Sequence, residues 1–590
     1  MTAVLLNLFG RLLSLSWLTG PIFEKELRVS SRRSRNYVLR SLYLFFLMIL
    51  LGLVWIRVIE REGSALYTAS RMAEAGKTVI MYTVWFQFCV TQVFAVIMLS
   101  TSISDEIHNR TLGLLMTTPI NSFQIVMGKL LSKLLQLILL LAISLPLLAI
   151  VRVFGGVPWG YVVSSLCITL TTMIFFGSLS LLFSIFTRRA YIVIIATVIA
   201  LFLILAVLPY LTGVLWFVAT EHWPGKTLTA AIFCHNPYLA MFSNSMMMLG
   251  RGTGGVPSSY WPLHCGVVSG LSALVLFVSV VRVRRVALRQ ATGQLGTSFR
   301  KHRPRKSADR ASIGRQDCPA PAIRVVGPPV IWKELKSATL GWRKGIARLA
   351  VAACLILIFL SYFLCSYLKV LKDNETHFVY TFIYLGLGML FSVVVPSTCI
   401  SSEKESRSWP LLLTTTLNDR EILFGKFVGA LRRCLPVWLL LLGHTVVFSL
   451  TGAIHPISVP YMASLIFWVT VFLCGSGLYF SSRCRRTTTA VILNFAFAFT
   501  IWAIVPLLLF FVAGYRMSQD YLDTNPVVHA GTIMDATAGR TTLKGFDWIG
   551  LGRYDVSKTT TWMLTCMGVY VLAGLLFAWR AKCRLRRRIF

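Results

Sequence analysis

Acidic residues are what this chain most conspicuously lacks. Only 22 of its 590 residues are Asp or Glu, against 58 Lys and Arg, and charged residues of both signs make up 14%. A soluble globular domain carries about 25% charged residues. With 56% hydrophobic residues and a mean hydropathy of +0.71, the composition excludes that class and points to lipid. The net charge of +36 suits either nucleic acid or an anionic leaflet. The basic residues lie between apolar runs of membrane length. Apart from Phe299, no aromatic alternates with the charges of the basic linker. Anionic lipid is therefore the expected partner of the basic segments, and no nucleic acid is expected.

Several chemistries are excluded by missing motifs. No G-x-x-x-x-G-K-[ST] loop occurs, so the chain has no P-loop of its own for ATP phosphates. Met127-Gly128-Lys129 continues into Leu130 without the upstream Gly, and Gly386-Leu387-Gly388 lacks the third glycine of a dinucleotide loop. No H-E-x-x-H occurs, and the 13 cysteines form no C-x-x-C or ligand-spaced Cys/His set, so no metal site is expected. Cys167, Cys354, Cys474 and Cys566 lie in apolar runs, where a thiol acts as a small hydrophobe. For Cys234 and Cys265, a disulfide and two free thiols both stay open. Ser476, between Gly475 and Gly477, and His444 are the only tempting nucleophile and base. Without an acid beside them they read as helix-packing residues, and no catalytic residue is expected.

What is present is a series of membrane-length apolar runs. The first half offers roughly 37–57, 79–103, 130–151, 161–186, 191–217 and 263–281; the second offers 346–369, 378–400, 434–450, 461–480, 490–513 and 561–578. The expected fold is an all-α polytopic membrane protein of about 12 transmembrane helices, arranged as two parallel six-helix repeats. Residues 1–285 form the first repeat, 286–327 a basic linker, and 328–590 the second repeat with a basic tail. The N-terminal apolar residues Leu5, Leu6, Phe9, Leu12, Leu13 and Leu15 read as a retained surface helix, since no basic n-region or cleavage site accompanies them. Lys and Arg cluster on one side of the spans, including Arg28, Arg32, Lys129, Arg188, Arg282 and the tail from Arg580. The positive-inside rule then places both termini in the cytoplasm of a multi-pass cell (inner) membrane protein.

One polar stretch occurs twice. Ser104–Lys129 reads SDEIHNRTLGLLMTTPINSFQIVMGK, and Ser401–Lys426 reads SSEKESRSWPLLLTTTLNDREILFGK. They align without a gap at an offset of 297 (403 − 106), which also matches Arg188-Arg189 to Arg485-Arg486 and Pro209 to Pro506. Glu106 with Arg110, and Glu403 with Arg407, have the i, i+4 spacing of helical ion pairs. Leu112, Leu115 and Met116 form an apolar stripe. Asn121 with Gln124, and Asn418 with Glu421, resemble capping boxes opening a new helix. Each copy is thus expected to be a short amphipathic helix, a corner, and a capped helix leading into the next span. The second copy, with Trp409-Pro410 for Leu112-Gly113, is expected to have the shorter helix. Before the last span of each half, Asn236-Pro237 and Asn525-Pro526 mark turns that can divide a hairpin dipping back into the bilayer.

At these residues the sequence resembles the permease subunits of type-2 ATP-binding-cassette (ABC) transporters. Lys25-Glu26-Leu27 and Lys333-Glu334-Leu335 match the family's amphipathic surface helix. Glu106, Thr111-Leu112-Gly113, Leu114, Leu115, Thr117, Thr118, Pro119 and Gly128-Lys129 match its loop. The second copy keeps Glu403, Leu411, Leu412, Thr414, Thr415 and Gly425-Lys426, with Thr416 in place of Pro119. The resemblance implies two permease units fused in tandem, with a pathway between them and the polarity of an exporter. It also implies coupling to a separate cytoplasmic ATPase, two copies of it, through Glu106–Pro119 with Arg110, and through Glu403–Thr415 with Arg407. ATP and magnesium would sit on that partner, with no cofactor on this chain. Two other readings stand beside this one. An ion-coupled secondary transporter would place acids near the midplane, where the spans show none, and a sensor or anchor would move nothing.

Overall fold

The computed structural model describes residues 16–32, 37, 40–41, 43–49, 51–52, 65–108, 111–115, 118, 120–153, 157–187, 190–220, 234–250, 261–291, 327–336, 344–539, 543 and 545–585. The expected N-terminal surface residues 5–15, residues 38–39, 42, 50 and 53–57 of the 37–57 span, and the linker from 292 to 326 lie outside them. The described part is an all-α polytopic membrane protein. Ten helices among the described residues are long and apolar enough to cross a membrane, and Ala352–Tyr367 is a shorter apolar helix. One small hairpin, Phe546–Trp548 paired with Gly552–Tyr554, is the exception. Helices dominate because lipid offers no water to an unpaired backbone group, so each span must satisfy its own N–H and C=O groups.

In the first half, α1 (Ser16–Ser31) precedes α2 (Ala65–Leu99), then come two short helices, α3 (Ser104–His108) and α4 (Leu112–Leu115). The long helices α5 (Ser122–Val153), α6 (Trp159–Phe186) and α7 (Ala190–Phe202) follow. A π-helical turn at Leu203–Val207 leads into α8 (Leu208–Thr220), then α9 (Pro237–Met248) and α10 (Trp261–Ala291). The second half runs α11 (Pro329–Lys336), α12 (Lys344–Tyr367), α13 (Asn374–Thr398), α14 (Ser401–Glu405), α15 (Trp409–Leu413), α16 (Asp419–Leu450), α17 (Ser458–Arg483) and α18 (Thr487–Phe499). A second π turn, Thr500–Ile504, leads to α19 (Val505–Val512), α20 (Tyr515–Leu522), α21 (Pro526–Thr537) and α22 (Val556–Arg584). The sequence offset recurs in these boundaries: α14 and α3, α16 and α5, α18 and α7, and the two π turns all start 297 residues apart (401 − 104, 419 − 122, 487 − 190, 500 − 203).

The π turns have a chemical cause at hand. Pro209 and Pro506 lack the N–H that an α-helix would give to the carbonyls of Leu205 and Trp502. Asn236 Nδ2 donates to the Leu205 carbonyl at 3.0 Å, and Asn525 Nδ2 to the Trp502 carbonyl at 2.9 Å. Next to them, His235 Nε2 donates to the Ile204 carbonyl (2.8 Å) and Tyr521 Oη to the Ile501 carbonyl (3.1 Å). Each Asn also opens a helix, its Oδ1 accepting from Tyr238 N and Leu239 N in one case and Val527 N in the other. Ten residues separate Trp502 from Val512, so the Asn525 tip sits about 15 Å inside the end of that helix. In the second half the Asn-Pro pair separates two short helices, α20 and α21. In the first half the arm before Asn236 lies outside the described residues.

Small residues let helices touch. A Cβ added at Gly475 in α17 would run into the Gly574 carbonyl oxygen in α22, and one at Gly388 would meet the Trp438 ring at 2.6 Å. Contacts also join the halves: Phe86 and Phe499 rings lie 6.3 Å apart, and Tyr210 Oη reaches Cys365 Sγ at 3.3 Å.

Candidate functional site

The repeated loop is built around a lysine. In the first half, Lys129 Nζ at the start of α5 donates to Glu26 Oε1 of α1 at 2.5 Å and to Glu106 Oε1 of α3 at 2.8 Å. Lys133 Nζ stands 3.8 Å from Glu26 Oε2. In the second half, Lys426 Nζ of α16 donates to Glu334 Oε1 of α11 at 2.7 Å and to Glu403 Oε1 of α14 at 2.6 Å. Arg433 Nη2 adds a contact to Glu334 Oε2 at 2.5 Å, and Lys333 Nζ one to Glu403 Oε1 at 3.1 Å. Each cluster ties together a leading helix, the loop and the following long helix. Gly425 and Gly429 make this approach possible: added Cβ atoms there would press on Val330 at 2.6 Å and on Glu334 at 2.8 Å.

The structure corrects two expectations. Glu403 does not pair with Arg407. Helix α14 stops at Glu405, Arg407 is exposed and takes a left-handed φ of 55°, and Lys426 and Lys333 hold the Glu403 carboxylate. Each loop is also not one amphipathic helix but two short ones. The second copy's apolar helix has five residues, and in the first copy residues 116–117 after Leu115 lie outside the described ones. Pro410 falls in the first turn of α15, where a missing N–H costs no helical bond. Arg110, Met116, Thr117 and Pro119 lie outside the described residues. The capped helix starts are as the spacing predicts, with Asn121 N donating to Gln124 Oε1 (3.2 Å) and Asn418 N to Glu421 Oε2 (3.4 Å).

The surface helices behave differently residue by residue. Lys25 is exposed, but the Glu26 side chain is only 21% exposed. Glu334 is buried. Burial pushes the Glu334 carboxyl up, but Lys426 beside it, then Arg433 and Lys333, outweigh that and hold it below the usual carboxylate range. A depressed value means stability that is complete above the ordinary carboxylate pKa of about 4.3 and is lost as pH falls through the lower, folded value. Melting curves in detergent from neutral pH to about pH 3 will therefore show acid destabilisation, and Glu334→Gln will flatten it. An unchanged slope in that variant would remove the cluster as the cause.

Beyond the clusters the loops end in an exposed apolar tip. Leu112 and Trp409, equivalent at 409 − 112 = 297, are buried at 0% and 3%. Two residues on, Leu114 and Leu411 are each 71% exposed. Thr118, Thr414 and Thr415 are exposed beside them, with Leu115 and Leu412 half-buried. Cys234 and Cys265 are both free thiols. The tempting catalytic pair is not assembled: Ser476 Oγ donates to Asn494 Oδ1 at 2.7 Å, whereas His444 Nδ1 meets Tyr362 Oη at 2.7 Å.

Between the halves lies a cavity of about 810 Å³. Its walls use matching positions, among them Val96 with Val393, Ile97 with Val394, and Leu205 with Trp502. Asn236 and Asn525 border it, and among the described residues no Asp, Glu, Lys, Arg or His does.

Membrane-length helices around a largely apolar cavity, with ionically braced loops beside them, define an all-α multi-pass membrane protein. Residues 21–291 match the model of the family described as "ABC-2 family transporter protein". That match covers just under half of the chain. No curated protein sequence matches the chain at a significant level.

Proposed function

We propose that this chain is two ABC-2 permease units fused in tandem, exporting a substrate with energy from separate cytoplasmic ATPase subunits. The observation that carries this reading is the pair of exposed leucines, Leu114 and Leu411, at one register in two copies of the same braced loop. Exposed apolar tips next to basic surface serve docking better than solvation. Two tips suit two ATPase copies, each binding ATP and magnesium. Closure of those subunits would press on α4 and α15, and Lys129 and Lys426 would carry the displacement into α5 and α16, because each lysine bonds loop and long helix together. Glu106, Glu26, Glu403 and Glu334 hold the lever; none performs chemistry. Both termini would lie in the cytoplasm of the inner membrane, where the basic linker and tail meet anionic lipid.

The test uses the tips, because reversing the half-buried, lysine-bonded Glu106 or Glu403 would also damage the fold. The double variant Leu114→Asp with Leu411→Asp is expected to keep its melting temperature and to lose ATPase association at least tenfold, since central apolar anchors contribute about 2 kcal/mol or more. Co-purification with a Walker-motif subunit measures it, with nucleotide hydrolysis as the second readout. Undiminished association would remove the loops from the interface. Flux driven by an ion gradient in vesicles without nucleotide would favour a secondary transporter instead.

A further inference from the structure

We infer that the hairpin 546–554 is a strap, fastened by Asp523 and tightened by acid, that holds the Asn525 tie of the second π turn in place. It lies at the end of the bundle away from the lysine clusters. Helix α18 starts there at the loop, where Thr487 N donates to Glu405 Oε1 at 2.9 Å, and runs through the π turn toward the hairpin's end. Three consecutive residues make the connection. Asp523 Oδ2 accepts from Gly550 N at 2.9 Å and from Leu551 N at 3.1 Å, at the hairpin turn. Thr524 Oγ1 and Tyr570 Oη of α22 lie 3.1 Å apart, and Asn525 Nδ2 donates to the Trp502 carbonyl at 2.9 Å. Gly550 seats the turn directly on α20, since an added Cβ would come within 2.5 Å of Gln519 and Asp520 backbone atoms. Phe546 and Trp548 are buried, their rings 5.6 Å from Tyr461 and 4.9 Å from His529. Lifting the strap uncovers Asp523 and frees the residues beside it.

The acid dependence follows from what surrounds this carboxyl. Asp523 is fully buried, and its Oδ1 has no partner among the described residues. Its titratable neighbours are Asp520 on its own helix, His529 of α21 and Cys566 of α22. The hairpin's charges, Asp547 and Arg553, are exposed and face each other at 3.5 Å. Burial pushes the Asp523 carboxyl up and Asp520 adds to it, whereas the Gly550, Leu551 and Ile549 N–H groups offset only part. Burial pushes His529 down to about 4, so it is neutral above that. Cys566, Tyr521 and Tyr570 carry no charge below about pH 8. A carboxyl raised in the closed state binds its proton more tightly there than in the open one. Closure thus takes up a proton, and the strap loosens as pH rises from the ordinary carboxylate value of about 3.9 through the higher closed one.

The experiment is hydrogen exchange of the full chain in lipid nanodiscs, read by mass spectrometry between about pH 5 and pH 8 and corrected for the intrinsic rate at each pH. Peptides covering 546–554 and 519–527 are expected to lose protection together as pH rises. Asp523→Asn, neutral at every pH, should show the flat, protected profile of the acid form. Asp523→Ala removes the acceptor and should lower protection of both peptides about tenfold or more, the value of a charge-assisted hydrogen bond. Asp547→Asn, on the exposed side of the hairpin, should keep the native slope. A native profile without slope, a slope that survives Asp523→Asn, or a slope lost in Asp547→Asn would each overturn the assignment. So would a hairpin that loosens while 519–527 stays protected. The native profile needs no substitution, so it decides the matter even if a variant misfolds. No ATPase takes part, and the result is independent of docking at Leu114 and Leu411.

Discussion

Lys426→Met will destabilise the protein by about 3–5 kcal/mol, the usual consequence of removing one partner from a buried ion pair. The lysine side chain is 3% exposed and stands between Glu334 and Glu403, 2.7 and 2.6 Å away. Without it, two carboxylates face each other in a confined space, and Arg433 reaches only Glu334. Neutralising both acids in the same chain, as Glu334→Gln with Glu403→Gln, should restore most of the loss, because the cost comes from unbalanced charge rather than from an absent contact. Melting temperature and monodispersity in detergent measure all three variants. If Lys426→Met melts like the native protein, the cluster is decorative. Lys129→Met should follow the same pattern more mildly, since its side chain is 9% exposed and Glu26 retains Lys133.

Gly475→Leu will be at least as damaging. Helices α17 and α22 cross with their backbones in near contact: a Cβ at Gly475 would occupy the place of the Gly574 carbonyl oxygen, and one at Gly574 would approach the Val471 carbonyl at 2.7 Å. Neither obstacle is a side chain that can rotate away, so the helices must separate. Buried Trp468, Phe472 and Tyr570 pack across the same contact, with the Trp468 and Tyr570 rings stacked at 4.5 Å. Overpacking typically costs about 1–3 kcal/mol when side chains absorb it, and a backbone clash should exceed that range. Gly443→Leu, where an added Cβ meets nothing within 4 Å, is the control and should be nearly neutral. Equal melting of the two variants would contradict the close crossing.

The comparison between sequence and structure is clearest at the lysine clusters. Glu26, Glu106, Glu334, Glu403 and the two Gly-Lys pairs were all visible as repeated residues, yet spacing alone paired the loop acids with Arg110 and Arg407. Local periodicity reports helical neighbours, whereas the partners that Glu403 finds come from two other helices. A repeated lysine directly before an apolar run was the available signal. The Asn-Pro turns were legible because proline constrains the chain locally. The π turns were not, since nothing in the composition of LILAV or TIWAI differs from ordinary span sequence; only the downstream proline hinted at them.

Each π turn holds one residue more than regular winding needs, just before a proline. Were the surplus squeezed out, everything beyond it would swivel by about 100°, the angle of one residue on an α-helix. Leu205 and Trp502 would then no longer aim their present faces inward, and the asparagine ties to those carbonyls would have to release first. Two amide groups therefore hold the present winding of both helices in place.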